Sequence, residues 1–193
     1  MIVLEDKEVV IITPPRTGSL MLHELLCKRR HSYWIESTDK NRHTITIPND
    51  FKRFRQMLLV RNPYPRLLGL RDELNEHLAI RQKRPLSLPE YIDRRHQFKM
   101  RHSTLITTWV DEIEACALLH LETLKQDLAE HLDINVSVPR LDSDKQRDWL
   151  NEFKKVDYER LAVLYTELVP DLVYGYYHSA ITPVKARAWS PCL

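Results

Sequence analysis

Short apolar runs alternate along the chain with longer stretches in which leucines recur every three or four residues. Val-Val-Ile-Ile at 9–12 is a β-branched run suited to a buried parallel strand, and Thr13-Pro14-Pro15 ends it. Leu20, Leu22, Leu25 and Leu26 then give one apolar face to a helix predicted over 19–29. Residues 32–35 fit a second strand, and 39–50 a polar loop that carries His43. Met-Leu-Leu-Val at 57–60 predicts another strand, stopped by Arg61-Asn62-Pro63 before a helix over 64–80. Residues 81–89 are basic and hold two prolines, which predicts a loop or lid. Short helices fit 88–95 and 103–110, a further buried strand fits 115–121, and helices fit 123–131, 143–153 and 158–168. Trp109 and Trp149 read as core. No internal repeat is visible. Strands alternating with helices predict an α/β fold with a mainly parallel sheet.

Composition narrows the class. A chain of 193 residues with 43% hydrophobic content suits one domain, 1–193, with a lid-like segment at 81–110. Charge is nearly balanced at +2, which argues against bulk nucleic-acid binding. No apolar run approaches the roughly 20 residues of a membrane helix, and the first ten residues lack the pattern of a signal peptide. Three scattered cysteines fit a reducing compartment, so a cytoplasmic location is expected. The nine histidines show no metal-ligand spacing, and no metal is expected.

Two segments carry candidate chemistry. The first, VVIITPPRTGSLMLHELL over 9–26, is a strand, a tight turn and a helix start. Such a turn aims backbone N–H groups at one spot, and the helix dipole adds positive potential there. Arg16 adds a planar donor fork, Thr17 and Ser19 add hydroxyls, and Gly18 permits close backbone approach. The plainer reading is an ordinary strand–helix junction with a polar surface turn. A Walker A pattern is absent, which argues against an ATPase or small-molecule kinase. The second segment, MLLVRNPYPRLLGLRDEL over 57–74, puts Arg61 at a strand end beside a helix start, where it can grip a second anion. Its plainer reading is a solvated basic helix with core leucines.

Together these segments resemble the sulfotransferases that use 3′-phosphoadenosine-5′-phosphosulfate, in particular the carbohydrate-type, family 2-like group. Pro15-Arg16-Thr17-Gly18-Ser19 resembles the family's 5′-phosphosulfate loop, and Arg61 to Gly69 resembles its RxPxxRxxS motif for the 3′-phosphate. LSLPEYI at 86–92, LLHLETLKQDL at 118–128 and YTELVPDLVYGY at 165–176 resemble later family segments in the same order. The resemblance implies a three-layer, P-loop-NTPase-like fold with a central, mainly parallel sheet flanked by helices. It implies donor contacts from Arg16, Thr17, Gly18, Ser19 and Leu20 in the first motif, and from Arg61 and Gly69 in the second. Three departures stand out: Arg16 replaces the usual loop lysine, Gly69 replaces a serine, and the chain is short for the family, which implies a trimmed acceptor-binding part.

The implied reaction is in-line transfer of a sulfuryl group to an acceptor hydroxyl, with adenosine 3′,5′-diphosphate as product and no metal. It needs cations on the leaving phosphate and a base for the acceptor proton. Arg16 fits the first role, since a guanidinium neutralises charge but donates protons poorly. His43 is the first choice of base and Glu36 the alternative, while a plain surface histidine remains open for His43. The basic stretch Arg81, Lys83, Arg84, Arg94, Arg95, Lys99 and Arg101, with Tyr91 and Phe98, reads as an acceptor groove or as a solvated lid. His96 and His102 lie in that stretch, and Lys185, Arg187 and Trp189 are further nucleotide-covering candidates. The acceptor is open, with a glycan or a small molecule as the expected class. The competing reading is a non-catalytic nucleotide-binding or structural protein that keeps the fold.

Overall fold

Three neighbouring strands of the sheet run parallel, and they are where the longest apolar runs fall. The computed structural model describes residues 1–26, 32–34, 47–98, 117–137, 149–173 and 175. Its strands are β1 (Ile2–Leu4), β2 (Val9–Ile12), β3 (Ser32–Trp34), β4 (Arg55–Val60) and β5 (Ala117–His120). Its helices are α1 (Ser19–Leu26), α2 (Pro63–Ile80), α3 (Leu88–Arg94), α4 (Leu124–Leu132) and α5 (Tyr158–Leu172), with a further helical turn at 149–153. The sheet order is β3-β1-β2-β4-β5. β2, β4 and β5 pair in parallel, Ile12 opposite Leu58 and Val60 opposite His120. β1 is antiparallel to both β2 and β3. The protein is therefore a mixed α/β protein with a mostly parallel sheet.

Chain contacts divide the molecule into two compact units. The first unit runs to Arg61 and includes β5 and α4. Every residue of β1 and β2, and Met57–Val60 of β4, is buried. Successive strand side chains point to opposite faces, so the sheet is covered on both. Leu22 and Leu26 of α1, and Leu124, Leu128 and Leu132 of α4, are buried in the same unit. The C-terminal end of α4 is closed by Asp133 in the left-handed region (φ 53°), where aspartate is tolerated better than most residues. Arg55 of β4 donates to the His131 carbonyl at 2.6 Å, placing a cation at the negative end of the α4 dipole.

The second unit begins at Asn62, and its described elements are helices. Asn62 caps α2 by accepting from the Tyr64 N–H at 3.0 Å, and Pro63 fills the first helical position, where no N–H is needed. Leu67, Leu70 and Leu74 of α2 pack with Leu88, Tyr91 and Ile92 of α3, Phe153, and Leu164 and Leu168 of α5. Trp149 is partly buried against this core and stacks on Tyr64 at 6.1 Å between centroids. Ser87 and Glu90 form a reciprocal capping box at the start of α3. Tyr91 is fully buried, so it serves the core of this unit and not the solvated stretch its basic neighbours suggest.

Two expectations about elements change. β1 adds an antiparallel strand inside the sheet, made possible because Glu8 adopts a left-handed turn (φ 49°) that reverses the chain after residues Glu5–Lys7. α5 runs four residues beyond 168 and carries Pro170 in its last turn. Among the described residues, no helix is long and apolar enough to cross a membrane, and no group of three or more His, Cys, Asp and Glu residues is arranged to hold a metal ion.

Candidate functional site

The candidate site is built where β2 feeds α1, at the carboxyl end of the parallel strands. Open α/β sheets bind ligands at that end. Pro14 to Thr17 form a tight turn. The Thr17 N–H approaches the Pro14 carbonyl at 3.4 Å, and the Thr17 hydroxyl donates to the same oxygen at 2.7 Å. Proline at the second turn position presets its φ, and the third position requires a positive φ. Arg16 occupies that third position at φ 62°, a conformation that costs a side-chain-bearing residue on the order of 1–2 kcal/mol. Thr17 is fully buried. Its hydroxyl proton therefore shapes the turn, and Arg16 is the turn's exposed side chain.

Gly18 follows at φ 97°, and its carbonyl accepts the first α1 bond, from the Leu22 N–H at 3.0 Å. Helix geometry gives the N–H groups of Gly18, Ser19, Leu20 and Met21 no partner within the helix. Glycine at the cap supplies no side chain to satisfy them. A Cβ at Gly18 would also stand 2.5 Å from Leu121 Cδ1. Glycine is thus required twice, by backbone conformation and by the close approach of Leu121. Ser19 is partly exposed, and Leu20 is 76% exposed beside this array.

Arg61 continues β4 on the same side of the sheet. Its Nη1 donates to the Arg16 carbonyl oxygen at 3.2 Å. The bond braces the strained residue and brings a second guanidinium to the turn. Arg16, Thr17, Gly18, Ser19, Leu20 and Arg61 all belong to the first unit. Gly69 lies on α2 in the second unit and is partly exposed. His43 and Glu36 lie outside the described residues, as do Lys99, Arg101, His102, Trp109, Lys185, Arg187 and Trp189.

Several basic residues have internal work. Arg66 is buried in the second unit and faces Asp171 of α5 at 3.8 Å. Arg71 bridges Asp72 and Glu152; partial burial pulls its pKa down, but the bonds to Asp72 and Glu152 together outweigh that and raise it. Arg95 is buried and bonds Glu167 and the Ile92 carbonyl, with His96 3.3 Å from Glu167. Arg84 pairs with Glu90, and Arg94 lies over the Phe98 ring at 5.7 Å.

Sequence reading marked 118–128 as a family-like segment but gave His120, Thr123 and Asp127 no role in the turn. His120, at the end of β5, is almost wholly buried, and Asp127 of α4 is fully so. Asp127 Oδ2 accepts the His120 backbone N–H at 2.7 Å and faces His120 Nδ1 at 2.9 Å. Its Oδ1 accepts the Thr123 hydroxyl at 3.1 Å. The signal available in sequence was an aspartate in the first turn of a helix after a strand ending in histidine.

Compared with known proteins, the chain matches no family model and gives no significant match to a curated protein or a solved structure.

Proposed function

We propose that the protein is a sulfotransferase that moves a sulfuryl group from 3′-phosphoadenosine-5′-phosphosulfate to an acceptor hydroxyl, a carbohydrate being the expected class. One observation carries this reading. A turn with Arg16 exposed and a bare glycine cap opens α1 at the carboxyl end of a parallel strand, and Arg61 from the next strand is bonded into it. N–H groups with no partner inside the helix and two guanidinium groups make a setting for phosphate and sulfate oxygens. In this reading the N–H groups of Ser19 and Leu20 and the Arg16 side chain hold the 5′-phosphosulfate, Thr17 holds the turn, and Arg61 grips the 3′-phosphate. Gly69, on α2, takes the place of a serine in the same motif. The fold that goes with the reading is a three-layer, P-loop-like arrangement.

The acceptor oxygen attacks sulfur as the bond from sulfur to the 5′-phosphate oxygen breaks. The electron pair leaves on that oxygen, where Arg16 neutralises it. The acceptor proton passes to a base, for which His43 and Glu36 are the candidates. No metal enters the scheme. The test is transfer of labelled sulfate from the donor across a panel of glycans and small hydroxyl compounds, with Arg16→Ala as control. Labelled product that Arg16→Ala abolishes supports the reading; no product across the panel contradicts it.

Gly69 favours a second reading, since a hydroxyl contact to the 3′-phosphate is lost where the family motif has serine. In that case the protein binds the nucleotide without turning it over. Binding of adenosine 3′,5′-diphosphate with no transfer, unaffected by His43→Ala, would identify it.

A further inference from the structure

Residues 120 to 123 are tied at both ends to one carboxylate. Asp127 holds the His120 main chain and ring through one oxygen and the Thr123 hydroxyl through the other. Leu121 sits between these two anchors, is itself buried, and is the residue that closes on Gly18. A buried carboxylate with well-aimed donors fixes geometry sharply, because each unmade bond is costly there. The chain of contacts therefore runs from Asp127, through the 3-10 turn Leu121–Thr123, to the Gly18 backbone that opens the anion-binding turn.

We infer that Asp127 is a positioning residue for the phosphate loop and acts through Leu121. This rests on the anion-site reading of that loop. Asp127 touches no substrate in this role. It sets how firmly Leu121 backs Gly18, and so how well the N–H groups after Gly18 converge.

The test is a double-mutant cycle on the full chain, read as affinity for adenosine 3′,5′-diphosphate by calorimetry. Asp127→Asn keeps the size of the side chain but replaces one accepting oxygen with a donor. It is expected to weaken binding roughly tenfold, as is Leu121→Ala, with the double variant little worse than either single one. Thr123→Val removes one bond with little change of shape, so it carries the same test if Asp127→Asn fails to fold. The Gly18 amide resonance in a 1H–15N spectrum should move in Asp127→Asn and in Thr123→Val. A purely structural Asp127 would lower the melting temperature while leaving the affinity of the folded protein and the Gly18 resonance unchanged. That result, or additive losses in the cycle, overturns the inference. No binding by the unaltered protein overturns the nucleotide reading instead. The Gly18 resonance then decides the inference alone, and an unmoved signal sinks it.

Discussion

The Arg61 guanidinium donates to the carbonyl oxygen of Arg16 at 3.2 Å, so the end of β4 braces the turn between β2 and α1. The two arginines stand 45 positions apart in sequence and belong to the two segments singled out for anion binding. Parallel pairing of β2 with β4 makes their meeting possible, because it brings both strand ends to the same edge of the sheet.

Arg16 holds a positive φ that glycine would hold more cheaply. Arg16→Gly is expected to raise stability by up to about 1 kcal/mol while weakening binding of adenosine 3′,5′-diphosphate at least tenfold, through loss of a charge-assisted contact. Urea unfolding and calorimetry on the same sample check both signs. A variant that loses stability and keeps its affinity would contradict the role given to the turn.

Gly18→Ala meets both a positive φ and Leu121. The expected cost is about 2–4 kcal/mol, from backbone strain and overpacking combined. Measured in a Leu121→Ala background, the same change should cost less, because the steric part has gone and only the φ part remains. Equal costs in the two backgrounds would show that Leu121 does not press on Gly18.

The Arg66–Asp171 pair is buried on both sides. Asp171→Ala alone should destabilise the protein by about 3–5 kcal/mol, since it removes the carboxylate that faces a buried guanidinium. Arg66→Met combined with Asp171→Leu should recover much of that loss, because buried pairs often exchange for apolar ones at little net cost. Denaturant midpoints for the unaltered protein and the two variants give the answer. A double variant worse than Asp171→Ala would contradict it.

Glu90 titrates at about 2, well below its ordinary 4.5, chiefly because its carboxylate accepts the Ser87 backbone N–H, with the Ser87 hydroxyl and Arg84 adding to the effect. A folded-state pKa below the unfolded one contributes stability that is full above the unfolded value and fades as pH falls toward the folded one. The melting-temperature gap between the unaltered protein and Glu90→Gln should therefore be largest above about pH 5 and close as pH falls toward about 2. A gap that stays constant with pH would mean that the capping box does not depend on the charge.

Much of the fold can be read from the chain because its signals are local. The Val9–Ile12 strand has the bounds its β-branched run predicts, and α2 starts one residue before expectation because Pro63 suits the first helical position. β1 is less legible. Its three apolar residues precede a charged turn, and only pairing with β2 and β3 makes them a strand. Arg55 and Gln56 extend β4 through pairing with Val9 and Val10, which a polar pair does not announce. In the candidate site, Gly18 and Arg16 could be singled out from turn chemistry. The approach of Leu121 to Gly18 could not, because it depends on which strands lie side by side, while the Thr17 hydroxyl bond and the Asp127 network are local contacts whose side-chain directions a sequence pattern does not give.

The central claim is that the turn from Pro14 to Ser19 holds a nucleotide's phosphosulfate end with Arg61 as its partner. Calorimetric titration with adenosine 3′,5′-diphosphate tests it most directly, comparing the unaltered protein with Arg16→Ala and Arg61→Ala. Saturable binding at one site is expected, with a rise in melting temperature as ligand is added and a loss of at least tenfold in affinity in each variant. Saturable binding that neither substitution weakens, or no binding at all by the unaltered protein, would contradict it.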